Sequence, residues 1–150
     1  MILSQTAVYA LNAIVRLARC PEGERVRVDD MASELDVPRN YLSKILHQLA
    51  RDGLLTSTRG PGGGFTLATP PKELSLHNVV RRFDDLSEES GCLLGRGRCS
   101  DHDPCSAHEH WKDVSRAVSR FLQETTVADL AEGHPPAHVT SIDTASRGGE

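Results

Sequence analysis

The sequence predicts a mainly α-helical fold with one small β-hairpin. Apolar residues recur three or four positions apart in several segments, which is the spacing of amphipathic helices. One segment, LLTSTRGPGGGFTLA, instead alternates around a Gly/Pro turn, as two short paired strands do. The 150 residues are 38% hydrophobic and 25% charged, a balance typical of an ordinary globular chain.

Composition narrows the class of protein further. No segment approaches the roughly eighteen apolar residues of a membrane-spanning helix. The N-terminal MILSQTAVYALNAIVRLARC lacks a basic region and a small-residue cleavage site, so we expect a cytoplasmic protein without membrane contact. The net charge of −4 argues against a uniformly basic nucleic-acid coat, but it allows a DNA binder whose cations gather on one face.

The first predicted element is an amphipathic helix over residues 3–19. Its apolar positions run from Leu3 to Ala18 at helical spacing, and it contains no Asp, Glu or His. The polar run PEGER, which includes Gly23, ends it.

A short helix, a tight turn and a longer helix follow, which is the order of a helix-turn-helix unit. Asp29 or Asp30 is placed to cap the short helix, and Asp36 begins the turn. Pro38 suits the first position of the second helix, and Gly53 suits the position just after its end.

The second of these helices is predicted to be a recognition helix. An apolar stripe from Tyr41 to Leu49 marks its buried side, with the Tyr41 hydroxyl free to reach a phosphate. Polar residues at its start or beside that stripe lie where base edges and phosphates are contacted. The predicted DNA-binding residues of this helix are Arg39, Asn40, Tyr41, Ser43, Lys44 and His47.

The hairpin directly behind this helix has the position of a wing. Its strands are predicted over residues 55–58 and 65–68, with RGPGGG between them. Arg59 and Gly60 lie at the tip, where glycines let the backbone approach a duplex and the arginine can enter the minor groove. Residues 1–70 are therefore predicted to form a winged helix-turn-helix DNA-binding domain.

Residues 71–131 are predicted to form a second unit. A helix over residues 74–83 capped by Ser75 is followed by a cysteine-rich loop, a long helix over about 106–124, and a final turn capped by Thr126. The apolar stripe of the long helix exceeds what the small N-terminal domain can cover, so a second copy of the chain is the expected partner. Residues 132–150 are predicted to be a disordered tail.

Four motifs together resemble a known family. The first helix YALNAIVRLA, the segment VPRNYLSKILHQL, the wing RGPGGGF and the three-cysteine loop look like the IscR/NsrR/RirA group, the Rrf-type family of bacterial winged helix-turn-helix transcription regulators. The similarity runs over about residues 1–131. It implies a homodimer with a long dimerisation helix, a pseudo-palindromic double-stranded DNA operator, and an iron–sulfur cluster that senses redox state, nitric oxide or iron.

The loop CLLGRGRCSDHDPCSAH holds the candidate metal ligands Cys92, Cys99 and Cys105. A disulfide would strand the third thiol and does not suit a reducing compartment. Structural zinc sites typically use closer cysteine pairs, whereas three thiolates spread over a glycine-rich loop suit the several irons of a cluster. An iron–sulfur cluster is the preferred interpretation; zinc and an empty loop are the alternatives.

A fourth ligand is predicted at His108, about one helical turn beyond Cys105. The resemblance supports this histidine. A 2Fe–2S cluster is slightly favoured, and a 4Fe–4S cluster is the alternative. Val8 stands where some nitric-oxide-sensing relatives have a carboxylate ligand. The other local donors, expected to be solvated, are Asp101, His102, Asp103, Glu109 and His110.

Two other functions are alternatives to the cluster-sensing regulator. One is a thiol or iron–sulfur scaffold or a redox enzyme, and the other is a constitutive repressor without a cluster. The chain has no CxxC pair, no nucleotide-binding fingerprint and no nucleophile–base spacing, so we expect that it is not an enzyme.

Overall fold

The computed structural model of the chain describes residues 3–86, 102 and 106–133. Across these residues the fold is mostly helical with one antiparallel hairpin, as predicted. No helix among them is long and apolar enough to cross a membrane. The elements are, in order, α1 (Gln5–Ala18), α2 (Val28–Leu35), α3 (Arg39–Arg51), β1 (Leu55–Thr58), β2 (Gly64–Leu67), a 3₁₀ turn (Pro71–Glu73), α4 (Leu76–Val80), α5 (His108–Glu124) and α6 (Val127–Ala131).

Helix α1 lies at the centre of the packing. The Ser4 side chain accepts a hydrogen bond from the Ala7 backbone N–H and so caps the helix start. The small side chains of Ala7, Ala10 and Ala13 are fully buried, which lets neighbouring helices approach its backbone closely. Through this face α1 contacts α3, α4 and α6.

The helix-turn-helix forms as predicted, but the start of α2 differs from the expectation. The N-cap is Arg27, which makes no side-chain capping bond, so the predicted cap at Asp29 or Asp30 is wrong. Both aspartates instead lie in the first turn, where their charge favours the positive end of the helix dipole. Asp36 ends α2 at φ 53°, ψ 49°, a left-handed conformation that aspartate tolerates.

Pro38 is the N-cap of α3 and not its first residue, and Gly53 follows the end of the helix at φ +83°. In the hairpin, Thr58 pairs with Gly64, so β2 begins one residue earlier than predicted. Val26, which precedes α2, forms a β-bridge with Phe65 and so ties β2, near the hairpin turn, to the helix-turn-helix.

Helices α4 and α6 both begin with a capping box. Ser75 exchanges hydrogen bonds with Asn78 at the start of α4, and Thr126 does the same with Asp129 at the start of α6. The Ser75 and Thr126 caps are therefore confirmed. The structure also places a β-bridge between these two caps, so the starts of α4 and α6 are held side by side.

One hydrophobic core includes residues from both predicted units. Ile14 of α1 and Leu46 of α3 belong to the same buried cluster as Val79, Val80 and Val127. All five side chains are completely buried. The position of α3 is therefore fixed relative to α4 and α6 through the helix that lies between them.

Candidate nucleic-acid interface

The predicted recognition residues lie on the outward side of α3. Its buried face is formed by Leu42, Ile45, Leu46 and Leu49. The remaining positions of the helix face solvent or lie at the edge of the core. Exposed polar residues at spacings of four, three and four follow one side of the helix: Asn40, Lys44, His47 and Arg51.

Arg51 completes this stripe and was not among the residues predicted from the sequence. It is exposed, and its Nη2 donates a hydrogen bond to Gln48 Oε1 at 2.9 Å. The signal was present in the sequence, because Arg51 follows His47 by four residues and so lies on the same helical face. The side chains of Asn40 and Lys44 make no hydrogen bond to any part of the chain that the structure describes.

His47 joins the helix to the wing. Its Nδ1 lies 2.7 Å from the Ser43 carbonyl oxygen, which can only accept, so Nδ1 carries the proton in this arrangement. The ring packs edge-on against Phe65 of β2, with centroids 5.4 Å apart and planes at 90°. The imidazole is therefore held in one orientation with Nε2 as its remaining polar atom. Ser43 itself is half-buried.

Tyr41 lies at the rim of the buried stripe and is 37% exposed. Its ring meets Tyr9 of α1 edge-on, with centroids 5.7 Å apart, and its hydroxyl contacts the Thr6 hydroxyl. A hydroxyl both donates and accepts, so the contact with Thr6 leaves capacity for a further hydrogen bond. Tyr41 thus connects the start of the recognition helix to α1.

Arg39 is the first residue of α3, and its Nε donates to the Asp29 carboxylate of α2. Both side chains are more than half exposed. The pair spans the turn between the two helices at the end of α3 where recognition helices contact base edges.

Gly60 and Gly63 are two of the wing-tip positions that require glycine. Gly60 has φ +89°, a conformation that side chains rarely adopt. At Gly63 an added Cβ would lie 2.4 Å from the Thr58 carbonyl oxygen, and the Gly63 backbone N–H donates to the Gly60 carbonyl oxygen at 2.9 Å. This tight turn leaves Arg59 exposed at the tip.

Arg25 is a second residue that the sequence-based prediction missed. It is exposed and its Nη1 donates to the Gly62 carbonyl oxygen at 3.3 Å. Arg25 directly precedes Val26, which bridges to the wing strand. A second cation besides Arg59 therefore lies beside the wing turn.

The predicted metal ligands Cys92, Cys99 and Cys105 lie outside the residues that the structure describes. His108 is described: it is the first residue of α5 and is only 4% exposed. Within residues 3–86, 102 and 106–133 no group of three His, Cys, Asp or Glu side chains is placed to hold a metal ion.

The other local donors divide into two sets. His102, Glu109 and His110 are exposed, as expected of solvated residues, while Asp101 and Asp103 lie outside the described residues.

Cys20 belongs to a different environment. Its Sγ lies 2.7 Å from Arg16 Nη1, and the same guanidinium is hydrogen-bonded to Glu34 of α2. The Arg16 hydrogen bond holds the pKa of the Glu34 carboxyl below its usual value, and the Glu34 bond raises the pKa of Arg16. This cluster ties α1 to α2.

Comparisons with known proteins give the sequence family and the fold to which the chain is similar. Residues 3–133 match the sequence model of a family described as Rrf2, iron-dependent transcriptional regulator. A protein of Aquifex aeolicus named as an HTH-type transcriptional regulator is 34% identical over 132 residues, which cover 87% of this chain and 91% of that protein. The HTH-type transcriptional regulator IscR of Escherichia coli is 29% identical over 130 residues, covering 87% of this chain and 80% of IscR.

Among solved structures, CymR of B. subtilis, described as its global cysteine regulator, superposes with a TM-score of 0.74. The match covers 90% of this chain and 99% of CymR at 22% sequence identity. At that identity the likeness bears on the fold alone.

Proposed function

Since the chain belongs to the Rrf2 family of DNA-binding transcriptional regulators and is not an enzyme, we propose that it is a cytoplasmic homodimer that binds a pseudo-palindromic operator. We further propose that an iron–sulfur cluster in the cysteine loop makes this binding responsive to redox state, nitric oxide or iron. The observation that carries the DNA-binding mode is the exposed polar stripe of α3, which runs beside the wing.

In the proposed complex α3 enters the major groove. Asn40, Lys44, His47 and Arg51 then face base edges and phosphates along one side of the helix. The contact between His47 and Phe65 sets the wing relative to the helix, so that Arg59 reaches the adjacent minor groove. Two copies related by a two-fold axis would read two half-sites.

Selection from a randomised duplex pool, followed by titration of the enriched site at several salt concentrations, tests this mode. Lys44→Ala is expected to weaken binding and to lower the salt dependence by about one counterion per subunit. Lys72→Ala, which removes an exposed lysine of the 3₁₀ turn, is the matched control and is expected to bind like the wild type. Equal losses in both variants would contradict the proposed face.

The homodimer is proposed from the surface of α5. Val114 is 45% exposed, while Trp111, Val118 and Phe121 are only partly covered by the described residues. Leu122 on the same helix is buried against the core, so α5 presents apolar groups on more than one side. A second copy of the helix would cover the outward apolar side.

The proposed cluster site consists of Cys92, Cys99, Cys105 and His108. Thiolates and an imidazole are ligands that iron–sulfur clusters take, and the burial of His108 keeps its ring away from bulk solvent. When bound, such a cluster supplies redox-sensitive chemistry and links the loop to α5. We prefer a 2Fe–2S cluster, with 4Fe–4S as the alternative type.

A chain of contacts leads from Asp84, eight residues before Cys92, to the recognition helix. Asp84, shortly before the loop, accepts a hydrogen bond from the Ser4 backbone N–H at 2.8 Å. Two residues after Ser4, the Thr6 hydroxyl contacts the Tyr41 hydroxyl of α3. We infer that rearrangement of the loop reaches α3 through the first turn of α1.

Anaerobic purification with iron, sulfide and zinc analysis tests the cluster. We expect coloured protein whose visible absorbance is lost in the Cys92→Ala, Cys99→Ala, Cys105→Ala triple variant and altered in His108→Ala. Cys20→Ala is the matched control and is expected to keep the wild-type spectrum. Colourless protein with stoichiometric zinc would refute the cluster, and colourless protein without metal that still binds its operator would indicate a constitutive repressor.

A further inference from the structure

Asp29 and Arg39 form an ion pair across the turn of the helix-turn-helix. Asp29 lies in the first turn of α2, and Arg39 is the first residue of α3. The carboxylate accepts from Nε of the guanidinium, not from its terminal nitrogens. Because both side chains are more than half exposed, this pair adds little to the stability of the fold.

Because Asp29 binds the Nε atom of Arg39, the terminal nitrogens of the guanidinium stay available for another ligand. A guanidinium has five N–H donors, and bonding at Nε leaves the Nη1 and Nη2 groups as an outward fork. That fork matches the O6 and N7 acceptors of guanine, the commonest base-specific contact in the major groove. A charge-assisted hydrogen bond at Nε also restricts the rotamers of a long side chain that would otherwise sample many.

We propose that Asp29 is a positioning residue for sequence recognition, which holds the Arg39 fork so that it reads a guanine in each operator half-site. The inference rests on the proposed function, in that it requires α3 to enter the major groove. It gives Asp29 a role that helix capping does not explain, since the N-cap of α2 is Arg27 and Asp29 makes no capping bond.

The negative charge of Asp29 distinguishes a role in sequence discrimination from a general contribution to DNA affinity. A carboxylate near the phosphates opposes binding to every sequence, so Asp29 can favour an operator only by improving discrimination. Asp30 provides the matched control, because it lies in the same first turn, is also exposed and carries the same charge. No bond joins Asp30 to Arg39 within the described part of the chain.

The test is selection from a randomised duplex pool with the full-length wild type, Asp29→Ala, Asp30→Ala and Arg39→Lys, followed by competition between matched and single-base-changed sites. We expect the wild type to prefer guanine at one symmetric position by about tenfold to a hundredfold. Asp29→Ala and Arg39→Lys are expected to lose the preference at that same position. Asp30→Ala is expected to keep it.

Affinity for unrelated DNA gives a second readout. Asp29→Ala should bind unrelated DNA as tightly as the wild type or more tightly, because the variant removes a negative charge from each subunit.

Unchanged guanine preference in Asp29→Ala or in Arg39→Lys would overturn the inference while leaving DNA binding intact. A uniform loss in Asp29→Ala across all sequences, with a lowered melting temperature, would overturn it in favour of a structural role. A wild type that enriches no sequence would overturn the proposed function and this inference with it.

Discussion

Gly63→Ala should separate the wing from the DNA without changing any charge. An added Cβ would lie 2.4 Å from the Thr58 carbonyl oxygen and 2.8 Å from that of Gly60. Real Cβ atoms keep at least 3.0 Å from such neighbours, so the backbone of the tip must move by more than half an ångström. Both obstacles are backbone atoms, and rotating a side chain cannot relieve the contact.

The displaced tip carries Arg59 away from its proposed position. Losing a hydrogen bond to a charged group costs about 1.5 kcal/mol, or roughly tenfold in affinity for each subunit. Each lost phosphate neutralisation lowers the slope of log K against log salt by about 0.9, so a dimer should lose about 1.8. We expect Gly63→Ala to reproduce the reduced slope of Arg59→Ala, although it retains the arginine.

The assay is operator binding by fluorescence anisotropy from about 50 to 200 mM salt, the range over which phosphate contacts make the affinity strongly salt-dependent. Gly23→Ala is the matched control: Gly23 also has a positive φ, +84°, but an added Cβ meets nothing within 4 Å. The control should fold with a cost of about 1–2 kcal/mol and bind the operator normally. Wild-type affinity and slope in Gly63→Ala, beside a loss in Arg59→Ala, would refute the steric reasoning.

Three further substitutions test the hydrophobic core, the proposed dimer surface of α5 and the cap of α6. Leu42→Ala removes a completely buried side chain of α3 and should lower the free energy of unfolding by about 2–5 kcal/mol in chemical denaturation; a smaller loss would mean that the site collapses around the cavity. Val114→Asp places a charge on the exposed apolar side of α5 and should yield monomers in sedimentation analysis, whereas an intact dimer would exclude this surface. Thr126→Ala removes one capping box and should cost about 1 kcal/mol of stability, and an unchanged melting temperature would argue against the cap.

Local signals explain which features of the fold could be predicted. Ser75 and Thr126 were recognisable as helix caps because a cap bonds to a backbone N–H only three residues away. The hairpin was recognisable from its turn residues, although β2 begins at Gly64, which has no side chain to mark a strand.

The end of α4 shows where a local signal misleads. The apolar pattern continues to Phe83, but Arg82 and Phe83 donate their backbone N–H groups three residues back, to Val79 and Val80. The helix has therefore tightened into turns before the apolar pattern ends, since side-chain spacing alone does not distinguish three-residue from four-residue bonding. The predicted range 74–83 is consequently longer than α4.

Long-range partners explain what the sequence could not reveal at the candidate site. Arg39 was predicted as a DNA contact from its place on the helix, but its partner Asp29 lies ten residues earlier in another helix. An aspartate at that position is equally compatible with a cap, a dipole contact or a cross-turn ion pair. The start of α2 at Val28 rules out the cap, and the position of Arg39 at the start of α3 brings its guanidinium to the Asp29 carboxylate. The cysteine ligands stay predictions, because they lie outside the described residues.

The negative net charge of the chain is compatible with DNA binding because charge is unevenly distributed along it. Residues 38–62, which contain α3, β1 and most of the wing tip, carry four cations and a single anion, Asp52, while the whole chain has a net charge of −4. Asp52 is hydrogen-bonded by Gln48 Nε2 at 3.1 Å at the far end of α3. The excess negative charge therefore lies in the rest of the chain. In the proposed binding mode, the net positive charge of residues 38–62 would attract the duplex to the α3–wing surface before any base is read.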